Sequence, residues 1–173
     1  VTDVHALRAV RLVREYLVRV IESPRDVQLR DKIMLSCLHA GLAFSNAILG
    51  AVHAMAHSLG GYLDFAHGDC NALLLDSVIY YNFQSVPDRY RDIAGQMGIS
   101  TENKSDSQVR EELTESIVDL RREAGMNYTL SGLGLKREDI PVLAEMAIND
   151  ACMLTNPREL SVAEVEEIYA RAF

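Results

Sequence analysis

The sequence has no tryptophan, three cysteines and four prolines, and aromatic side chains make up 6% of it. The shortage of aromatics argues against a sheet-built protein, because strands draw on aromatic and β-branched side chains. Cys37, Cys70 and Cys152 are odd in number, widely spaced and free of any C-x-x-C pair. They exclude a disulfide framework and read as buried, inert thiols of a reducing compartment. No apolar run reaches the roughly 20 residues of a membrane span. The start, Val1-Thr2-Asp3-Val4-His5, has neither the charged beginning nor the apolar stretch of a signal peptide. Positive charge is also short: 17 Lys and Arg stand against 25 Asp and Glu, a net charge of −8. That balance disfavours nucleic acid and anionic membrane surfaces as partners. The expectation is a cytoplasmic protein with neither kind of partner.

What the sequence does have is apolar mass and helical spacing. Over 173 residues, 49% are apolar, enough for the core of one domain spanning residues 1–173. Ala6, Val10, Val13, Leu17 and Val20 recur at steps of four, three, four and three, which predicts an amphipathic helix over 3–21 with Thr2 or Asp3 as its cap. Ser23-Pro24 ends it, and Asp26 can cap the next. From Met34 to Gly50 charge almost vanishes, which predicts a helix buried on all sides. Further helices are expected over 50–59, stopping at Gly60-Gly61, then over 71–82, 87–97, 108–122, 137–154 and 161–172. Ser161 and Glu164 have capping-box spacing. The polar stretch 100–107 is the best candidate for a mobile loop. No segment alternates at period two, so the fold class is an all-α, multi-helix bundle.

Three of the five histidines, His53, His57 and His67, fall within fifteen positions. His53 and His57 are spaced i,i+4, so both rings leave one face of a helix. His67 follows the Gly60-Gly61 break on a loop that can fold back toward them. Val52, Ala54, Met55, Ala56 and Leu59 surround the pair, which predicts a poorly hydrated setting. Imidazole is the commonest metal ligand, and its charge state is tunable near neutral pH. A single buried histidine is ordinarily a satisfied core residue; an i,i+4 pair with a third nearby points to a metal or catalytic site.

The stretch Gly50-Ala51-Val52-His53-Ala54-Met55-Ala56-His57-Ser58-Leu59-Gly60-Gly61, with His67-Gly68 and Asn71-Ala72-Leu73-Leu74-Leu75 after it, resembles a signature of iron-containing, group III alcohol dehydrogenases. Ala40-Gly41-Leu42-Ala43-Phe44-Ser45-Asn46, Tyr81-Asn82, Asn149-Asp150 and Thr155-Asn156-Pro157-Arg158 extend the likeness over nearly the whole chain. The resemblance implies the helical C-terminal, dehydroquinate synthase-like domain of such an enzyme, without its nucleotide-binding domain. It implies that His53 and His67 are metal ligands, that His57 is a catalytic histidine relaying a proton, and that an Asp and a further His complete the set from a preceding helix. The implied cofactors are a divalent metal, Fe2+ ahead of Zn2+, and NAD(P) through the other domain. The implied substrate is a small primary or secondary alcohol, or the corresponding aldehyde or ketone, and a homodimer is admitted. The chain alone is expected to be inactive. Ser58 and Asp76 stand where the family often has proline, which leaves the substrate open.

Asp3 and His5, two apart, do not match the family's metal-binding pair. Gly132-Leu133-Gly134 reads as a turn, His39 as a packing or hydrogen-bonding residue, and Glu164, Glu166 and Glu167 as a solvated face. Asp64 and Asp69 flank His67 and read as loop residues. Two other functions stay open: a helical interaction module without catalysis, and a histidine-based metallohydrolase using Asp64.

Overall fold

Eight α-helices carry the chain in a computed structural model that describes residues 1–173: α1 (Thr2–Glu22), α2 (Val27–Ala47), α3 (Ala51–Leu63), α4 (His67–Asn82), α5 (Pro87–Gln96), α6 (Asp106–Glu123), α7 (Ile140–Ile148) and α8 (Val162–Ala172). Short 3-10 turns occupy Phe83–Ser85, Arg137–Asp139 and Ala151–Thr155. No residue lies in a strand, as the composition requires. No single helix is long and apolar enough to cross a membrane. Contacts gather the chain into two compact units, Val1–Ile48 with Val86–Met126, and Leu49–Ser85 with Asn127–Phe173.

In the first unit α1 packs along α2, and α5 and α6 complete the group. Ala9 and Leu12 of α1, Leu29 of α2, Ala94 of α5, Met97 just after it, and Val109, Leu113 and Ile117 of α6 are its buried apolar residues. Asp26 caps α2, accepting from the Gln28 and Leu29 amides at 2.8 and 3.1 Å. Val1, not Thr2 or Asp3, precedes α1, and it offers no side-chain cap.

The expectation that α2 is buried on all sides is overturned. Of its 21 residues Leu29 and Ser36 are buried, while Met34 is 67% and Phe44 50% exposed. Within its unit α2 rests on α1, so the opposite face, with Met34, Leu38 and Leu42, has no neighbour there. Cys37 is exposed on α2, against the reading of all three cysteines as buried; Cys70 is buried and Cys152 half-buried. The polar stretch before α6 is pinned rather than loose. Arg91 donates to the carbonyls of Thr101 and Lys104 at 3.2 and 2.8 Å and to the Asp106 carboxylate.

The second unit packs α3 against α4 and α7, and α8 against α4 and α7. Its core holds Met55, Leu59, Leu73, Leu74, Phe83, Leu143 and Ile168. Tyr169 is wholly buried there, with its hydroxyl donating to the Met55 carbonyl at 2.8 Å. That bond satisfies the one polar atom of a large core side chain. Burial pushes the Tyr169 phenol far above its ordinary range.

Three boundaries differ from the sequence expectation. Helix α3 runs through Gly60-Gly61 and ends at Asp64, whose φ of 56° is left-handed. Glycine inside a helix costs only about 1 kcal/mol, and at Gly60 a Cβ would lie 3.3 Å from the Phe65 carbonyl oxygen, so the site needs a small residue. Helix α4 starts at His67, four residues early, which puts that ring on the first turn of a helix and not in a loop. The helix expected over 137–154 is broken after Ile148, where Asp150 caps the turn that follows.

Candidate metal centre

Asn156 fixes the entry to the helix that carries two of the histidines. Its Oδ1 accepts from the Ala51 amide at 3.2 Å and from Asn82 Nδ2 at 2.8 Å. Its Nδ2 donates to Asn82 Oδ1 at 2.9 Å and to the Arg158 carbonyl at 2.7 Å. One amide thus ties the first turn of α3 to the end of α4, and Arg158 adds a bond from its guanidinium to the Tyr81 carbonyl. Gly50 makes room for this: a Cβ there would lie 3.3 Å from Asn156 Oδ1.

From that anchored turn α3 projects His53 and His57 on one face, while Ala54, Met55, Ala56, Ser58 and Leu59 are buried on the others. The start of α4 brings His67 to the same place. Ring centroids lie 6.1 Å apart for His53 and His57, 5.3 Å for His53 and His67, and 5.3 Å for His57 and His67. The three histidines singled out in the sequence therefore form one cluster. Its setting is wetter than expected, with His53 half-buried and His57 and His67 exposed, because the buried sides of α3 are the ones facing its neighbours. His53 is held below the ordinary imidazole range, by burial first and then by repulsion from His67 and His57.

His57 is oriented from below. Its Nδ1 donates to Asp150 Oδ2 at 3.0 Å, since a carboxylate can only accept, and in the neutral ring this leaves Nε2 as the acceptor. The other oxygen, Asp150 Oδ1, accepts from the Cys152 amide at 2.8 Å. Burial works to raise the Asp150 carboxyl, but the Cys152 amide and His57 outweigh it and hold it below its ordinary value. The Cys152 thiol is pushed up by burial and by the Asp150 carboxylate. One potential ligand atom from each of His57, Asp150 and Cys152 lies within 4.8 Å of the others. His53 and His67, the two ligands expected from the sequence, do not belong to that group, and neither do Asp64 and Asp69.

Sequence spacing gave no reason to add Asp150 and Cys152, which lie more than ninety positions from His57. The signal available was the pair Asn149-Asp150, which could have been read as a cap for a broken helix. Asn71 was another omission: its Nδ2 donates to His67 Nε2 at 2.9 Å and to the His67 carbonyl at 3.0 Å. Its Oδ1 is buried without a partner, an orphan acceptor beside the cluster.

Comparison with known proteins bears on the family and the fold. The profile of the Fe-containing alcohol dehydrogenase family, C-terminal, matches residues 1–173. The 1,3-propanediol dehydrogenase of Citrobacter freundii is 39% identical over 173 residues, covering 100% of this chain and 45% of that protein. The lactaldehyde reductase of Escherichia coli (strain K12) is 36% identical over 172 residues, covering 99% of this chain and 44% of that protein. A crystal structure of 1,3-propanediol oxidoreductase superposes with a TM-score of 0.96 at 38% identity, covering 99% of this chain and 45% of that one. The chain thus spans a little under half the length of these relatives.

Proposed function

This chain belongs to the Fe-containing alcohol dehydrogenase family, and from that premise we propose that it is the metal-binding, substrate-side part of an enzyme that interconverts small alcohols with aldehydes or ketones by hydride exchange with NAD(P). The relatives named for propanediol and lactaldehyde support that substrate class. The nicotinamide would be held by residues outside these 173. The observation that carries the reading is the convergence of His53, His57 and His67, with His57 oriented by Asp150.

The residues fit a divalent ion. His53 and His67 offer imidazole nitrogens, and desolvation favours the uncharged, ligating form of His53. The orphan Asn71 Oδ1 marks the corner beside His67 as a polar place. Imidazole suits both Fe2+ and Zn2+. When bound, such an ion supplies Lewis-acid polarisation of the substrate oxygen. His53 and His67 would hold it, with remaining positions filled from outside these two side chains. His57, its Nδ1 proton committed to Asp150, presents Nε2 as the atom that takes the alcohol proton or returns it. Asp150 keeps that tautomer and steadies the ring when it carries charge. Asn71 sets the orientation of His67 through its bonds to Nε2 and to the backbone carbonyl.

The test is metal content and Fe2+ or Zn2+ affinity in His53→Ala and His67→Ala, with expected losses of about 10–100-fold or more, the scale that even outer-shell changes reach. Unchanged affinity in both variants would remove the reading. A second seat is favoured by one observation, the approach of His57, Asp150 and Cys152 within 4.8 Å. If the ion sits there, Cys152→Ala rather than His67→Ala lowers affinity.

A further inference from the structure

The two histidines outside the cluster are also paired. His5, on the first turns of α1, and His39, in the second half of α2, bring their Nδ1 atoms to 2.9 Å across 34 residues of chain. The ring centroids are 5.1 Å apart and the planes tilt by 34°. Both side chains are half-buried. One turn further along the same helix pair, Ser36 Oγ donates to the Ala9 carbonyl at 3.1 Å, so the register that sets the two rings face to face is held independently of them.

We infer that His5 and His39 form a second metal site, a two-imidazole clasp between α1 and α2 that takes a divalent late transition ion of the Cu2+ or Ni2+ type. Two ring nitrogens aimed at one another must share a proton to be stable in the empty state, one donating and one accepting. When the donating ring carries its proton on Nε2 instead, both rings stay neutral and both Nδ1 atoms present lone pairs at the spacing of a chelate. An ion at the roughly 2.0–2.1 Å typical of imidazole nitrogen, placed on two atoms 2.9 Å apart, subtends about 90°. That is the angle between neighbouring positions of a square-planar or tetragonal ion, the geometry of Cu2+ and Ni2+. A tetrahedral ion would need the nitrogens about 3.4 Å apart, so the spacing is nearer to the tetragonal geometry. The two nitrogens keep their separation and the rings need only rotate. Half-exposure leaves the remaining positions to water. Because the ligands belong to different helices, binding joins α1 to α2 and stabilises the folded chain as the free ion rises.

The test uses Cu2+ and the 173-residue chain carrying His53→Gln, His57→Gln, His67→Gln, Cys37→Ser and Cys152→Ser, so that neither the other cluster nor a free thiol can compete. The expected result is one bound Cu2+ whose paramagnetic resonance shows two imidazole nitrogens, and a thermal midpoint that climbs with Cu2+. Adding His5→Gln or His39→Gln should leave one nitrogen and weaken binding by about tenfold or more, a change on the scale of 1.4 kcal/mol. Either single change should abolish the thermal increment as fully as both together, because a chelate needs both rings. Helical circular dichroism checks that the variants fold, and the nitrogen count in the parent is read without any change at this site. A parent with fewer than two ligating nitrogens, or single variants whose losses simply add, would overturn the clasp.

Discussion

Helices α2 and α3 are both poor in charge, yet the structure treats them in opposite ways. In α3, Ala51, Ala54, Met55, Ala56, Ser58 and Leu59 are buried within thirteen residues. In α2, twenty-one residues bury Leu29 and Ser36. The difference lies in the neighbours: α3 meets α4, α7 and the turn at 151–155, whereas α2 rests on α1. An apolar helix announces that it needs cover, not that its own unit supplies it. Small residues sharpen the contrast, since the alanines of α3 let partners approach closely and leave its histidines as the face that remains open.

The largest expected effect tests that contrast directly. Leu74, on α4, is 0% exposed, and Leu38, on α2, is 58% exposed. Leu74→Ala should cost about 2–5 kcal/mol, from lost transfer energy and the cavity left behind. Leu38→Ala should stay within about 0.5 kcal/mol, as exposed substitutions do. Urea unfolding of both variants measures the difference. Equal costs would mean that α2 is covered in solution after all.

Next comes the anchor of the histidine face. Asn156→Ala removes four hydrogen bonds and strands the side chain of Asn82, which is 3% exposed. A buried polar group left unsatisfied costs about 1–3 kcal/mol, and the first turn of α3 loses its cap as well. The matching change in the other unit, Ser36→Ala, loses one bond to the Ala9 carbonyl and should cost about 1 kcal/mol. If Asn156→Ala also lowers metal affinity while Ser36→Ala does not, the anchor serves the site and not stability alone.

These residues show how far the sequence could be read. The helical class, the i,i+4 placement of His53 and His57, the Asp26 cap and the box at α8 were legible, because each rests on spacing within a few residues. The exposure of α2 was not, because local charge says nothing about whether a neighbour exists. The run of α3 past Gly60-Gly61 was misread because helix-breaking at glycine is weak beside tertiary packing. Asp150, Cys152 and Asn156 came to the site by long-range packing, and no local period connects them to His57 or Ala51. From the sequence His5 is weighed only beside Asp3, and His39 reads as packing or hydrogen-bonding without a named partner; the register of α1 on α2 makes them a pair.

The smallest effect separates the two units by their caps. Helix α6 opens with Ser105 and Gln108, and helix α8 with Ser161 and Glu164; each serine amide donates to the partner side chain, at 2.9 and 2.8 Å, and each serine oxygen accepts the returning amide at 3.3 Å. The geometry is shared and the chemistry is not, since Gln108 is neutral at every pH and Glu164 titrates. The Ser161 amide and hydroxyl hold the Glu164 carboxyl below its ordinary value of 4.5, and Arg158 adds to the effect. A group whose folded pKa is depressed adds stability above its unfolded pKa and loses it as pH falls through the folded one. The α8 cap should therefore weaken from about pH 4.5 downward, by about 1 kcal/mol in all, while the α6 cap stays constant. Stability measured from pH 7 to pH 3 should drop less in Glu164→Gln than in the parent, and Gln108→Glu should add a second acid-sensitive cap to the first unit. If Glu164→Gln leaves the acid slope unchanged, the carboxylate at α8 is no more than an amide in that position.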